Sequence, residues 1–131
     1  MAHILLAEDE DSVRRFVTIA LESSGHTVIA APDGGLAAEI LDAEGGSFHL
    51  MLSDIRMPVM DGIALALHAA AHWPDLPILL MTGFADQRER AHGLEALIYD
   101  VLQKPFTLAQ LVKKVDDALN NRPLRMPGLS A

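Results

Sequence analysis

Short apolar runs alternate five times with segments of helical periodicity, and this alternation constrains the fold more than any other feature of the chain. The runs are continuously apolar instead of alternating with polar residues, which is typical of strands buried on both faces of a parallel sheet. Regular alternation of strands and helices favours a sheet covered by helices on both sides. We therefore predict an α/β fold of the (βα)5 type, a doubly wound five-stranded parallel sheet in a three-layer sandwich.

The periodic pattern also gives approximate limits for each element. Strands are predicted at His3–Ala7, Thr27–Ala31, Phe48–Ser53, Pro77–Met81 and Ile98–Leu102. Helices are predicted at Ser12–Ser23, Leu36–Asp42, Gly62–His72, Gln87–Leu97 and Leu108–Leu119. We expect one domain over residues 1–120, since a length of 131 residues suits a single domain. Residues 121–131 contain two prolines and a glycine and show no period, so we expect a flexible C-terminal tail there.

Charge and composition exclude several functional classes. A formal net charge of −8 and a pI near 5.0 favour a surface that repels phosphates, so we expect no nucleic acid partner. The chain has no cysteine, which removes disulfides, thiolate zinc sites and thiol nucleophiles. The apolar run His3–Ala7 leads directly into acidic residues, with no basic segment before it. We therefore expect no signal peptide, no membrane association and a cytoplasmic location.

Chemically capable side chains follow four of the predicted strands. Glu8 and Asp9 follow the first strand, Asp54 the third, Thr82 the fourth and Lys104 the fifth. Because open parallel sheets bind ligands beyond the carboxyl ends of their strands, we expect these groups to share one edge. Carboxylates 4 Å apart repel by about 4 kcal/mol per pair at an effective dielectric of 20, so three of them need a cation or raised pKa values. Oxygen ligands favour Mg2+. Calcium is not indicated, because the chain has no calcium-loop motif, and zinc is not indicated, because no histidine follows these strands.

Neighbouring acidic residues have plainer structural interpretations. Glu10 and Asp11 are typical of a solvated acidic start to a helix, with Asp11 or Ser12 as its cap. Asp61, followed by glycine, indicates a turn and a helix cap. We expect none of these residues to take part in the chemistry of the strand ends.

A histidine pair offers an alternative metal site. His68 and His72 stand four residues apart on a predicted helix, a spacing that can bind zinc. No third ligand accompanies them, although zinc requires three or four protein ligands. We therefore do not expect a zinc site at this pair.

Four segments of the chain, in order and at matching spacings, resemble the receiver domain of bacterial response regulators. They are Ile4-Leu5-Leu6-Ala7-Glu8-Asp9, Leu52-Ser53-Asp54-Ile55-Arg56-Met57-Pro58-Val59-Met60-Asp61-Gly62, Leu80-Met81-Thr82-Gly83 and Gln103-Lys104-Pro105-Phe106. The resemblance extends from Ala2 to about Asn120. Each segment alone would be weak evidence, but together they are highly specific. The family has a CheY-like, flavodoxin-like fold.

The resemblance implies a role for each motif residue. It implies that Asp54 is the phosphoacceptor of a two-component phosphorelay and that Mg2+ is the cofactor. Asp9, Asp54 and the backbone carbonyl of Arg56 would be metal ligands, and Glu8 would act through a metal-bound water. Thr82 would hydrogen-bond a phosphoryl oxygen, and Lys104 would pair first with Asp54 and then with the phosphoryl group. It also implies a cis peptide between Lys104 and the proline that follows it, where the isomer is accessible.

The same resemblance implies that the protein acts through partner proteins and not by converting a substrate. The protein would catalyse only its own phosphorylation and autodephosphorylation at Asp54, and we expect no other enzymatic activity. A histidine kinase or histidine phosphotransfer protein would be the donor, and the chain would act as a monomer or weak dimer. The segments around Glu8, Thr82 and Lys104 are similar to the stand-alone CpdR-type receivers, adaptors in regulated proteolysis, which adds a protease to the expected downstream protein targets. The family's usual partner surface would here include Arg88, Arg90, Glu95, Tyr99, Lys113 and Lys114.

Departures from the family pattern leave two alternatives open. A magnesium-dependent phosphatase with an aspartyl-phosphate intermediate needs an acid two residues after the nucleophile, where this chain has Arg56. A binding module that is never phosphorylated is the second alternative, against which the intact set of motif residues argues.

Val101 occupies the position where receivers often carry an aromatic switch residue, and Tyr99, two residues earlier, is expected to point in the same direction.

Overall fold

A computed structural model describes residues 1–44, 46–83, 90–91, 93–94 and 96–120. Its strands are β1 (His3–Ala7), β2 (Thr27–Ala31), β3 (Leu50–Asp54), β4 (Ile78–Thr82) and β5 (Asp100–Gln103). Its described helices are α1 (Asp11–Ser23), α2 (Gly34–Glu44), α3 (Gly62–His72) and α4 (Leu108–Asn120). The strands form one parallel sheet in the order β2-β1-β3-β4-β5. The predicted five-stranded parallel α/β fold is therefore confirmed.

Two apolar clusters fill the spaces between the sheet and its helices. Side chains of α2 and α3, among them Leu41 and Leu65, pack with Leu5 and Met51 on one face. On the other face, α1 and α4 contribute to a cluster around Leu6. The central strands β3 and β4 are buried at every position, which explains why their sequences are continuously apolar up to the polar residues at their ends. Within the described part of the chain, no helix is both long and apolar enough to span a bilayer.

Several element limits differ from the sequence prediction by one or two residues. β3 begins at Leu50, because Phe48 is buried from the preceding loop and stacks on the His3 ring, with 4.4 Å between centroids. β4 and β5 are shifted toward their carboxyl ends and extend to Thr82 and Gln103. α2 is longer than predicted and begins at Gly34, since the Asp33 carboxylate accepts a hydrogen bond from the Leu36 amide and caps it.

Parts of two predictions lie outside the described residues. Of the helix predicted at Gln87–Leu97, residues 90–91 are helical and residues 93–94 and 96–97 lie in turns, while the other positions are not described. The predicted tail, residues 121–131, also lies outside the described range.

The start of α3 fixes the backbone that follows β3. Asp61 caps the helix by accepting a hydrogen bond from the Ala64 amide at 2.9 Å, as predicted. The Gly62 amide donates to the Ile55 carbonyl at 2.6 Å, and a Cβ at Gly62 would lie 2.0 Å from the carbonyl oxygen of Asp54. Only glycine permits so close an approach of two backbones. The start of α3 is thereby held directly against Asp54.

Candidate functional site

The sheet topology brings the predicted site residues together at one edge. Asp54 is the last residue of β3, the central strand, and Thr82 is the last residue of its neighbour β4. Glu8 directly follows β1 on the other side of β3, and Lys104 directly follows β5. The Lys104 amide donates to the Thr82 carbonyl at 2.7 Å, which continues the ladder beyond the strand end. The edge predicted from the sequence is thus assembled from four distant segments.

Three carboxylates and one ammonium group form the centre of this edge. Carboxylate oxygens of Glu8, Asp9 and Asp54 all lie within 4.8 Å of one another. The Lys104 ammonium donates to Glu8 Oε1 at 3.0 Å and to Asp54 Oδ2 at 3.1 Å. Glu8 is fully buried and Asp54 is 7% exposed, whereas Asp9 is exposed. When all three carboxylates are ionised, they face one ammonium group, which leaves an excess of negative charge at the site.

The protonation equilibria reflect this crowding. Burial raises the pKa of Glu8 to about 7, and the neighbouring charge of Asp54 acts in the same direction, while the Glu10 amide and Lys104 partly oppose both. Burial acts to lower the pKa of Lys104, but the hydrogen bond to Glu8 and the charge of Asp54 outweigh it and raise that pKa. Lys104 consequently stays protonated, and Glu8 is partly protonated near neutral pH.

The donor set fits a hard divalent cation. All three cluster residues offer carboxylate oxygens, and in the described ranges no other group of three histidine, cysteine, aspartate or glutamate residues is close enough to hold a metal ion. Mg2+ is bound in proteins through one or two carboxylates together with waters and phosphate oxygens. A divalent ion would also relieve the repulsion that the single ammonium of Lys104 leaves uncompensated. The site can thus hold a metal ion, and its chemistry favours Mg2+.

Thr82 carries an unsatisfied polar atom at the same edge. Its hydroxyl oxygen Oγ1 is buried and has no hydrogen-bond partner among the described residues. A buried hydroxyl without a partner costs free energy, and such groups are rare in native proteins. Its position, at the end of the strand next to that of Asp54, suits a hydroxyl that acquires a partner when an anion binds there.

A cavity of about 850 Å3 opens onto the cluster. Glu8, Asp9, Asp54 and Lys104 line its polar side. Its other walls include Val13, Phe16, Arg56, Pro105 and Phe106. The rings of Phe16 and Phe106 lie 6.3 Å apart, centroid to centroid. A partner group can therefore reach the carboxylates from solvent while it contacts an apolar wall.

The loop between β1 and α1 differs from the sequence prediction. Neither Asp11 nor Ser12 caps α1: the N-cap residue is Glu10, which makes no side-chain cap hydrogen bond. The Asp11 carboxylate instead accepts a hydrogen bond from the Arg14 guanidinium. The same guanidinium also contacts the backbone carbonyls of Glu8 and Asp9. Arg14 was missed because backbone carbonyls, its principal partners, leave no signature in a sequence.

Other predicted positions have mixed outcomes. The Lys104–Pro105 peptide is cis, as predicted. Arg56 is exposed and lines the cavity, while the role of its carbonyl as a metal ligand stays a prediction. Tyr99 and Val101 do not point the same way: Tyr99 packs against the α1–α4 side and Val101 against the α2–α3 side. The expectation was wrong because β5 begins only at Asp100, so strand alternation does not govern Tyr99.

The predicted partner surface and the histidine pair have partners within the chain. Arg90 pairs with Asp61 at 2.7 Å, and Lys114 pairs with Asp100. Arg88 and Glu95 lie outside the described residues. The His68 ring contacts Asp42 at 2.9 Å, and the His72 ring contacts the backbone carbonyl of His68 at 2.9 Å.

A parallel five-stranded sheet with this acidic edge defines the class of response-regulator receiver domains. Residues 4–116 match the family described as response regulator receiver domain, and the chain belongs to that family. It is 43% identical over 119 residues to the response regulator receiver protein CpdR of Brucella abortus, with 91% of this chain and 98% of that protein covered. It is also 36% identical over 121 residues to the sensor kinase CckA of the same organism, with 92% of this chain but 13% of the kinase covered.

Solved structures show the same fold. A response regulator receiver domain protein from Clostridium thermocellum superposes with a TM-score of 0.87 at 23% identity, covering 96% of this chain and all of that one. The chemotaxis response regulator CheY4 of Vibrio cholerae superposes with a TM-score of 0.79 at 29% identity, covering 91% and 99%. The predicted CheY-like architecture is confirmed.

Proposed function

We propose that this protein is a switch of a two-component phosphorelay that accepts a phosphoryl group on Asp54 in the presence of Mg2+. The donor is a phosphohistidine of a histidine kinase or of a histidine phosphotransfer protein. The observation that carries the proposal is the cluster of Glu8, Asp9 and Asp54 carboxylates within 4.8 Å, bridged by Lys104 at the edge of the sheet. Membership of the receiver family and the similarity to CpdR support it.

The Asp54 carboxylate is held in one orientation for attack. The Ile55 amide donates to Oδ1 at 2.9 Å, and the Lys104 ammonium donates to Oδ2 at 3.1 Å. In the transfer, an Asp54 oxygen forms a bond to phosphorus while the bond from phosphorus to the histidine nitrogen breaks, and the bonding pair leaves with the imidazole, which takes up a proton. A carboxylate is already deprotonated at neutral pH, so no general base is required. Orientation and charge neutralisation supply most of the catalysis in phosphoryl transfer.

The remaining side chains stabilise the charge on the transferred group. Lys104 exchanges its contact with the Asp54 carboxylate for one with a phosphoryl oxygen. Thr82 donates its unpartnered hydroxyl to another phosphoryl oxygen. Glu8, Asp9 and Asp54 would hold the Mg2+ ion, with the Arg56 carbonyl as a further expected ligand. When bound, the ion supplies positive charge that offsets the carboxylates and the phosphoryl oxygens.

The change of charge then alters the surface that partners meet. A phosphoryl group adds about −1.5 to −2 charges and strong acceptors. Because Thr82 ends β4 and Lys104 directly follows the neighbouring strand β5, their movement toward that group changes the edge of the sheet that they form. The output is a protein–protein contact of a cytoplasmic monomer or weak dimer. The similarity to CpdR makes a protease-linked target the first one to test.

Two outcomes separate this proposal from its alternatives. The protein is incubated with Mg2+ and a small phosphodonor, acetyl phosphate or phosphoramidate, and its intact mass is measured. Wild type gains one phosphoryl group, while Asp54→Asn gains none. Asp42→Asn, the same change at an exposed residue of α2, serves as the matched control and is labelled like wild type.

An unchanged wild-type mass, under a donor that labels another receiver, would favour the binding module that is never phosphorylated. Equal labelling of Asp54→Asn would place the acceptor elsewhere. Continuous turnover of a phosphoester substrate would favour the phosphatase.

A further inference from the structure

One arginine contacts two residues of the loop that carries two of the three clustered carboxylates, and also the first residue of α1. Arg14, in the first turns of α1, donates from Nη1 to the Glu8 carbonyl at 2.9 Å and lies 3.4 Å from the Asp9 carbonyl. Its Nη2 donates to the Asp11 carboxylate. The Arg14 side chain is 23% exposed, so this contact is partly shielded from solvent. The guanidinium fork thereby fixes the direction of consecutive peptide groups in the loop.

The two acidic residues of the loop depend on this contact to different extents. The Glu8 carboxylate has two further partners, the Glu10 amide at 3.0 Å and Lys104. For Asp9, the described residues provide no hydrogen bond to the carboxylate, and its backbone carbonyl is the group that Arg14 reaches. Because the helix cap that would otherwise order this loop is absent, Arg14 provides the constraint that a capping side chain provides elsewhere.

We propose that Arg14 is a positioning residue for the cation site: it holds the loop between β1 and α1 so that the Asp9 carboxylate faces Glu8 and Asp54 before the ion binds. The inference rests on the proposed Mg2+ site. Residues that orient metal ligands without touching the metal commonly change metal affinity by about 10- to 100-fold when they are replaced.

The charge of Arg14 and its positioning role predict opposite changes in Mg2+ affinity when Arg14 is replaced. A positive side chain near three carboxylates repels a divalent cation, so removing it on electrostatic grounds alone would tighten Mg2+ binding. Removing a positioning contact would weaken binding, since the ion must then order the loop itself. Arg15 provides the matched control, because it is the next residue of the same helix, has the same charge and is exposed.

The test is a titration of the full chain with MgCl2, in which binding is monitored through the chemical shifts of backbone amides in NMR spectra. We expect Arg14→Met to raise the dissociation constant for Mg2+ by about tenfold or more. We expect Arg15→Met to leave the dissociation constant unchanged or to lower it by less than about twofold, because the charge of an exposed side chain is screened by salt. Arg14→Lys keeps the charge but loses the fork, and should bind Mg2+ between wild type and Arg14→Met.

A thermal melt in EDTA separates a loss of positioning from a loss of stability. A lower Tm for Arg14→Met with an unchanged Mg2+ affinity would overturn the inference, as would equal or tighter binding. If Arg14→Met does not fold, Arg14→Lys decides, and wild-type affinity in that variant overturns the inference. In both cases Mg2+ binding by wild type leaves the proposed function standing. Absence of Mg2+ binding by wild type would instead remove both proposals.

Discussion

Replacing Thr82 by valine should stabilise the protein in the absence of phosphorylation. The Thr82 hydroxyl is buried without a partner in the described part of the chain, and valine has nearly the same shape without the polar atom. An unsatisfied buried polar group costs about 1–3 kcal/mol, so Thr82→Val should raise the free energy of unfolding by an amount in that range. For a domain of this size the gain corresponds to roughly 4 °C in Tm for each kcal/mol. The same variant should slow phosphorylation by small donors roughly tenfold or more, because it removes a donor to the phosphoryl group.

The assay is urea denaturation in EDTA, with the midpoint and the slope fitted separately. The matched control is Ser53→Ala, one position before the end of β3, because the Ser53 hydroxyl is equally buried but donates to the Asp54 carbonyl at 2.8 Å. We expect Ser53→Ala to lower the free energy of unfolding by about 1 kcal/mol, the typical value of a satisfied hydrogen bond. The two hydroxyl deletions should therefore have opposite signs. If Thr82→Val destabilised the protein as much as Ser53→Ala does, the hydroxyl would have a partner in solution and the reasoning would be refuted.

Two further predictions concern charge and protonation. Lys104→Met should lower the free energy of unfolding in EDTA at pH 7.5 by about 3 kcal/mol, the lower end of the range for breaking a buried pair, because it leaves the buried Glu8 and Asp54 without a cation that is itself partly exposed. Urea denaturation measures this loss, and a loss no larger than that of the exposed Lys113→Met would contradict the prediction. Burial, assisted by the N-terminal charge, lowers the pKa of His26 below its usual 6.5, and its Nδ1 accepts a backbone N–H. The contribution of neutral His26 to stability is therefore complete above pH 6.5 and is lost as the pH falls through the folded-state pKa. His26→Gln should flatten that part of a curve of Tm against pH. An unchanged curve would refute the role given to His26.

Much of the fold could be predicted because its signals are local. β1, β2 and α3 have the limits that their apolar runs and flanking polar residues indicate. The start of α2 was predicted two residues too late, and the helix begins at Gly34, which lies against the carbonyl oxygen of Met60. A Cβ there would come within 1.8 Å of that oxygen, a tertiary constraint that no local pattern records.

The site divides in the same way. Its carboxylates and Lys104 were predictable, because parallel strands end at a common edge and their terminal residues are the polar ones in apolar runs. The contact of Arg14 with two carbonyls could not be predicted, since it depends on the path of the loop. The Thr82 hydroxyl, which has no hydrogen-bond partner among the residues that the structure describes, also could not be predicted, because the absence of a partner is seen only in coordinates.

The order of the strands makes the proposed acceptor site depend on the last strand of the sheet to be synthesised. Lys104 meets Asp54 and Glu8 across separations of 50 and 96 residues, and it does so only when β5 has paired with β4 at the margin of the sheet. During synthesis, the acceptor and its acidic neighbours emerge long before the lysine that neutralises them. If Asp54 accepts a phosphoryl group as proposed, a nascent molecule whose β5 is not yet paired would lack the ammonium group that the transfer uses.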